Sequence, residues 1–149
     1  MSRPKAQTAA LLASADDVEA QFYEALQQAD LDKLMAVWSD DDDVACVHPG
    51  GPRVIGHAAI RASFEAIFAN GAIPLQLHGV KRVNALGSAV HHVVERITLH
   101  TEQGTQSAWV MSTNVYLKTT QGWRLLVHHA SPGSEHVEAP ERETPSTLH

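Results

Sequence analysis

A single cysteine, Cys46, stands in the 149 residues. With no second thiol there is no intramolecular disulfide, no cysteine-rich zinc site and no Cys-x-x-Cys redox pair. That usage fits a reducing compartment, and the expected location is cytoplasmic. Positive charge is scarce as well, with 11 Lys and Arg against 17 Asp and Glu for a formal net charge of -6. Such a chain offers no electrostatic footprint for a phosphate backbone, so nucleic acid is not an expected partner. No stretch approaches the ~18 apolar residues that a membrane helix requires, and no membrane association is expected. Near the start, Arg3 and Lys5 precede an apolar run, and Ala13-Ser14-Ala15 has the small-x-small form of a signal-peptidase site. The run from Ala9 to Ala13 falls short of the roughly seven to fifteen apolar residues of a signal core, so residues 1–13 read as a flexible leader.

What the chain does have is an ordinary globular balance, 44% apolar and 19% charged. A chain of this length buries roughly two thirds of its unfolded surface around one core, and one domain is expected over residues 14–133. Ser14 and Asp17 match a capping box, and Val18, Phe22, Ala25, Leu26 and Ala29 recur at helical spacing, which predicts a helix over 16–29. Asp30 can cap a second, shorter helix carrying Leu31, Leu34, Met35 and Trp38, which the aspartates from Asp40 end. Val44 to His48 and Arg53 to Ile55 read as a small hairpin around the turn Pro49-Gly50-Gly51-Pro52. Gly56 opens a third helix with Ile60, Phe64, Ile67 and Phe68 on one side, and Asn70-Gly71 stops it.

After Gly71 the apolar period changes from 3.6 to 2, and four strands are predicted near 73–84, 88–101, 105–119 and 122–131, with short joints suited to antiparallel hairpins. Helices followed by a long meander is the α+β pattern. Residues 134–149, with Pro140 and Pro145, form a polar tail. On the second strand one row holds Val90, His92, Val94, Arg96 and Thr98, and the other Ala89, His91, Val93, Glu95, Ile97 and Leu99. On the third, Trp109, Met111, Thr113, Val115 and Leu117 oppose Ala108, Val110, Ser112, Asn114 and Tyr116. Neither face is purely polar, yet three helices can blanket only one, so the second face is expected to pack on another subunit as a homodimer.

"VACVHPGGPRVIGHAAIRASFEAIF" after two helices, then a meander ending "GWRLLVHHAS", resembles the SnoaL-like branch of the NTF2-like superfamily over residues 14–133. The second half, in "ERITLH" at 95–100 and in "GWRLLVHHAS", is also similar to the association domain of calcium/calmodulin-dependent protein kinase II. The resemblance implies an NTF2-like (cystatin-like) cone of α+β class, with three N-terminal helices packed on a curved, mainly antiparallel sheet, a small-molecule pocket between them, and dimers through the outer sheet face. It also implies that Arg96 lines the pocket, grouped by parity with His92. A second pocket arginine of the association domain falls at Asn114. In its last strand only His129 and Ser131 match, Val127 replacing a histidine. Polyketide cyclases and steroid isomerases of the superfamily use a carboxylate base, whereas residues 105–131 contain no Asp or Glu.

Ten histidines invite a metal. Adjacent strand residues point to opposite faces, so neither His91-His92 nor His128-His129 can chelate one ion as a pair, and only one of each faces the pocket. A set of His48, His92 and His129 lacks a His-x-x-x-His helix and supporting carboxylates, and neither metal nor cofactor is expected. "HPGGPRVIG" lacks the spacing of a phosphate loop, and its prolines remove amide donors. Cys46 and His48 could share a strand face as a thiolate pair, but a buried structural cysteine is the plainer reading. The catalytic candidates are His48 or His129 as general base, with Arg96 as electrostatic anchor for a developing enolate or carboxylate. Tyr23, Trp38, His92, Trp109 and Asn114 are the candidate ligand-binding residues. Two readings stand: a lyase, isomerase or cyclase, or a non-enzymatic module that senses a ligand or assembles into oligomers.

Overall fold

The computed structural model describes residues 12–134. The leader expected over 1–13 and the tail expected over 134–149 therefore lie outside the described residues, save at Leu12, Ala13 and Ser134. Leu12 is already part of the core, and its carbonyl accepts from Trp123 N–H at 2.9 Å.

Helix α1 is Ala15–Gln28. Ser14 Oγ accepts from Asp17 N–H at 3.1 Å, and the Asp17 carboxylate reaches back to Ala13 N–H at 3.1 Å, so two of the amides at this end are satisfied by side chains. Val18, Phe22, Tyr23, Ala25 and Leu26 form its buried stripe. The chain leaves α1 through Ala29 in the left-handed region, φ 53°, and Asp30 at once caps α2, Leu31–Met35, by accepting from Lys33 N–H at 3.1 Å. Helix α3, His57–Phe68, starts at Gly56, whose φ of 95° suits a residue without Cβ, and it buries Ile60 and Phe64.

The strands are β1 Ala45–Val47, β2 Arg53–Ile55, β3 Leu75–Asn84, β4 Ser88–Thr101, β5 Gly104–Thr119 and β6 Gly122–Pro132. They form one sheet in the order β2-β1-β6-β5-β4-β3. The meander β3 to β6 is antiparallel throughout, while β1 pairs parallel to β6, with Cys46 beside His128. Two expectations change. Only α1 and α2 precede the strands, because α3 follows the β1–β2 hairpin. The sheet is mainly antiparallel as expected, with β1 against β6 as the parallel pairing, but it is open, with β2 and β3 as its edges, and is not curled into a cone.

The helices cover one face of this sheet. Phe22 lies at the centre, its ring edge-on to Tyr23, Trp38 and Phe64 at centroid distances of 5.1, 6.4 and 6.3 Å. The covered row of β4 is Ala89, His91, Val93 and Glu95, and that of β5 is Val110, Ser112, Asn114 and Tyr116, all buried.

Candidate functional site

The row of β5 turned toward the helices is the more polar of its two rows. Its Ser112 and Asn114 face Tyr23 of α1, Glu95 of β4 and His128 of β6. Tyr23 Oη donates to Glu95 Oε2 at 2.7 Å, and Ser112 Oγ donates to the same oxygen at 2.7 Å. Asn114 Nδ2 donates to Tyr23 Oη at 3.0 Å, and its Oδ1 lies 2.6 Å from His128 Nδ1.

These bonds run in one direction. The Tyr23 proton goes to Glu95, so Tyr23 Oη is free to accept from the Asn114 amide, which turns Asn114 Oδ1 toward His128. His128 Nδ1 must then carry the proton, leaving Nε2 with its lone pair. Among the described residues no group donates to Glu95 Oε1 and no cation pairs with its carboxylate. A buried carboxylate without a cation is costly to ionise. Burial accordingly raises the Glu95 pKa, and the hydrogen bonds from Ser112 and Tyr23 offset part of that rise. The Tyr23 hydroxyl is pushed well above its ordinary value, first by burial and then by the Glu95 charge. His128 is pushed down to about 3 by burial, with lesser contributions from His48 and His129.

His48 lies at the edge of this region, half-buried, its ring edge-on to Phe64 at 4.7 Å. Ser63 Oγ donates to the Ile60 carbonyl at 2.7 Å, so the 2.9 Å contact between His48 Nε2 and Ser63 Oγ requires the proton on Nε2. Cys46 Sγ is 3.8 Å from the same nitrogen, but burial lifts its pKa to about 12 and keeps it a thiol. The thiolate–imidazole pair does not form.

The other sequence candidates are divided between the two faces. Tyr23 and Asn114 belong to the buried chain of hydrogen bonds. Trp38 is buried against Phe22, and its Nε1 has no partner among the described residues. His92 and His129 are exposed on the face that no helix covers among the described residues, where the His92 ring lies 3.3 Å from Thr113 Oγ1. Arg96 is on that outer face too, its guanidinium 5.8 Å from the Trp109 ring centroid and its Nε donating to Ser107 Oγ at 2.9 Å. With His78, edge-on to Trp109 at 4.9 Å, these residues line a groove of about 840 Å³ that runs to Pro132 and Gly133. Arg96 and Trp109 are thus brought together. Arg96 and His48 are not, since the sheet lies between them, and His129 shares the face of Arg96 rather than that of His48.

Glu95 and His128 are what the sequence reading passed over. The signal was present in β5: a strand row that reads Ser112, Asn114, Tyr116 and yet faces the helices marks a polar interior. Of each histidine pair, His91 and His128 are the inward members.

The chain belongs to the SnoaL-like domain family, whose sequence profile matches residues 16–135. Its fold is that of the NTF2-like superfamily. A structure from Thiobacillus denitrificans, a candidate calcium/calmodulin-dependent protein kinase type II association domain, is 34% identical, with a TM-score of 0.76 over 83% of this chain and 98% of that one. A candidate dehydratase of the NTF2-like family from Streptomyces avermitilis is 28% identical, with a TM-score of 0.71 over 85% of this chain and 97% of that one. The hub of the kinase from S. rosetta shares the fold, at 20% identity and a TM-score of 0.62 over 78% of this chain and 92% of that one. A comparison with curated proteins gave no match. Among the described residues no helix is long and apolar enough to cross a membrane.

Proposed function

We propose that this protein binds a small organic molecule against the inner sheet face and moves a proton on it, as a lyase or isomerase with Glu95 as the acid–base group. The observation that carries this reading is the Glu95 carboxylate itself: buried, unpaired by any cation among the described residues, held at Oε2 by Tyr23 and Ser112, with no donor to Oε1. A buried acid of raised pKa with one engaged and one free oxygen is suited to taking a proton from carbon near neutral pH. In a β-hydroxy carbonyl compound Oε1 would take the proton adjacent to the carbonyl. The C–O bond then breaks as the C=C bond forms, and the same proton leaves with the hydroxyl as water, returning Glu95 to carboxylate. The candidate dehydratase among the similar structures supports this reaction class. His128, held through Asn114, and His48 beside Phe64 replace His129 as the inner-face histidines able to orient the substrate.

The test is loss of water from a panel of small β-hydroxy ketones and acids, followed by absorbance of the conjugated product. Turnover that falls at least a hundredfold in Glu95→Gln, with folding intact, supports the reading. Turnover that survives the substitution removes it.

A second reading rests on the outer groove. Arg96 and the Trp109 indole together suit a ligand that is both anionic and flat, an organic acid bound without chemistry. This is the anchoring role expected of Arg96, carried out on the face of the sheet opposite Glu95. Calorimetric titration with benzoate distinguishes the two readings, since this one requires binding that Arg96→Ala abolishes and Glu95→Gln leaves unchanged.

The outer face also bears on assembly. Val90, Val94, Met111, Val115 and Val127 line β4 to β6 with no helix among the described residues over them, and a second copy of the chain is the partner we propose for it. Sedimentation at micromolar concentration tests this, a monomer contradicting it.

A further inference from the structure

At the other end of α1, away from Glu95, a second polar group is buried against the sheet. His91 on β4 is fully enclosed, and its Nδ1 lies 3.1 Å from Glu19 Oε2. A lone pair directed at a carboxylate oxygen would be repelled, so Nδ1 carries a proton, and in the neutral imidazole Nε2 is the acceptor. That Nε2 is buried with no hydrogen-bond partner among the described residues, and it stands 3.9 Å from Asp16 Oδ1. The buried Tyr116 ring lies edge-on to His91 at 4.8 Å and helps to enclose it. Donor atoms of Asp16, Glu19 and His91 all lie within 4.8 Å of one another.

We propose that this cluster is a site for a divalent transition metal of the zinc class, with His91 Nε2 and Asp16 Oδ1 as ligands and Glu19 as the carboxylate that orients the imidazole. Zinc bonds to imidazole nitrogen and carboxylate oxygen are each about 2.0–2.2 Å long, so an ion fits the 3.9 Å gap between the two atoms at a wide angle. The carboxylate–imidazole–metal arrangement fixes the tautomer that leaves Nε2 free and raises its basicity. An imidazole beside a carboxylate favours zinc, cobalt or manganese over calcium or magnesium, which prefer all-oxygen sites. Because the Asp16 side chain is largely exposed, the remaining coordination positions would open toward solvent.

One cation already competes for the site. Arg82 Nε donates to Asp16 Oδ1 at 2.8 Å, and its terminal nitrogen is 3.9 Å from Glu19 Oε1. The metal takes Oδ1 from this guanidinium, so Arg82 sets a threshold for occupancy rather than contributing a ligand.

The test is calorimetric titration of the full, untagged chain with Zn²⁺, supported by Co²⁺ absorption. One site per chain is expected. Because the chain has ten histidines, the controls must separate this site from adventitious binding. Asp16→Asn, at an exposed position where folding is not at risk, weakens binding at least tenfold, as does His91→Gln. His92→Gln, one residue on and facing the opposite side, leaves it unchanged. Arg82→Ala tightens it severalfold by removing the competing charge, and Zn²⁺ raises the thermal midpoint of the wild type but not of Asp16→Asn. Wild-type affinity in Asp16→Asn, or an equal loss in His92→Gln, overturns the proposal.

Discussion

The Tyr23 hydroxyl donates to Glu95 Oε2 at 2.7 Å, joining the first helix to the fourth strand between residues 72 positions apart. Tyr23 thereby sets the proton affinity of the one buried carboxylate that lies on the inner face without a cation. A hydrogen bond donated to the ionised carboxylate favours that form, so Tyr23→Phe raises the Glu95 pKa further. In an enzyme that needs Glu95 ionised, the acidic limb of the rate–pH profile moves to higher pH. A limb that stays in place would show that Glu95 is not the titrating base.

Glu95→Gln separates chemistry from stability. The amide keeps the size of the side chain, accepts from Tyr23 and Ser112 through its oxygen, and removes a charge that burial disfavours. Unfolding in urea near neutral pH is therefore expected to show stability equal to or above that of the wild type, while turnover falls. A large loss of stability would mean that the carboxylate is chiefly a structural acceptor.

Acid should weaken the fold through His128. Its pKa is lowered from 6.5 to about 3 in the native state, so between those values the unfolded chain binds a proton that the native chain does not. The stability contributed by the neutral imidazole is complete above pH 6.5 and is lost as pH falls, at about 1.4 kcal/mol per pH unit for one proton. His48, lowered in the same direction by burial, adds to the slope. Glu95, whose pKa is raised, acts oppositely: its contribution is present at low pH and is lost as pH rises through its folded value. Urea midpoints taken between pH 7 and pH 4 should fall more gently in His128→Gln than in the wild type, and parallel slopes would exclude His128 as the source.

Cys46 should be inert. With its pKa raised to about 12 and its side chain enclosed, it presents almost no thiolate at pH 8. A disulfide reagent is expected to label it only as fast as the protein unfolds, and at once in denaturant. Stoichiometric labelling of the native chain within seconds would contradict the burial.

Phe22 is the packing centre on which Tyr23, Trp38 and Phe64 converge, and it is fully buried. Phe22→Ala is expected to cost about 3–5 kcal/mol, read as a shift in the denaturation midpoint. A change under about 1 kcal/mol would mean that the surrounding rings collapse into the space.

Much of the fold is local and so was legible. Ser14 and Asp30 announce their helices because a cap is written within four residues of its effect, and the change of period after Gly71 marks the meander for the same reason. The parallel pairing of β1 with β6 leaves no such mark, since the two strands are far apart in sequence and either could border another partner. The sidedness of β4 and β5 was hidden for a different reason. Both rows of β4 mix valines with polar groups, so hydrophobicity alone could not choose between His91 with Glu95 and His92 with Arg96. In β5 the more apolar row, with Trp109, Met111 and Val115, is the one that no helix covers among the described residues. Tyr23 and Asn114 were named among the site candidates, but the carboxylate and imidazole they connect were not, because His128 and Glu95 differ from their neighbours only in which way the strand faces.

The parallel register of β1 against β6 also dictates an order of events in the cell. As the chain emerges from the ribosome, the β1–β2 hairpin and α3 are complete long before the strand that must receive them exists. Until residues 122–132 have been made, Cys46 and Val47 have no sheet to join, and the apolar side of α1 has no finished surface beneath it. Native structure here should therefore arise late, once the last of these strands is available to pair.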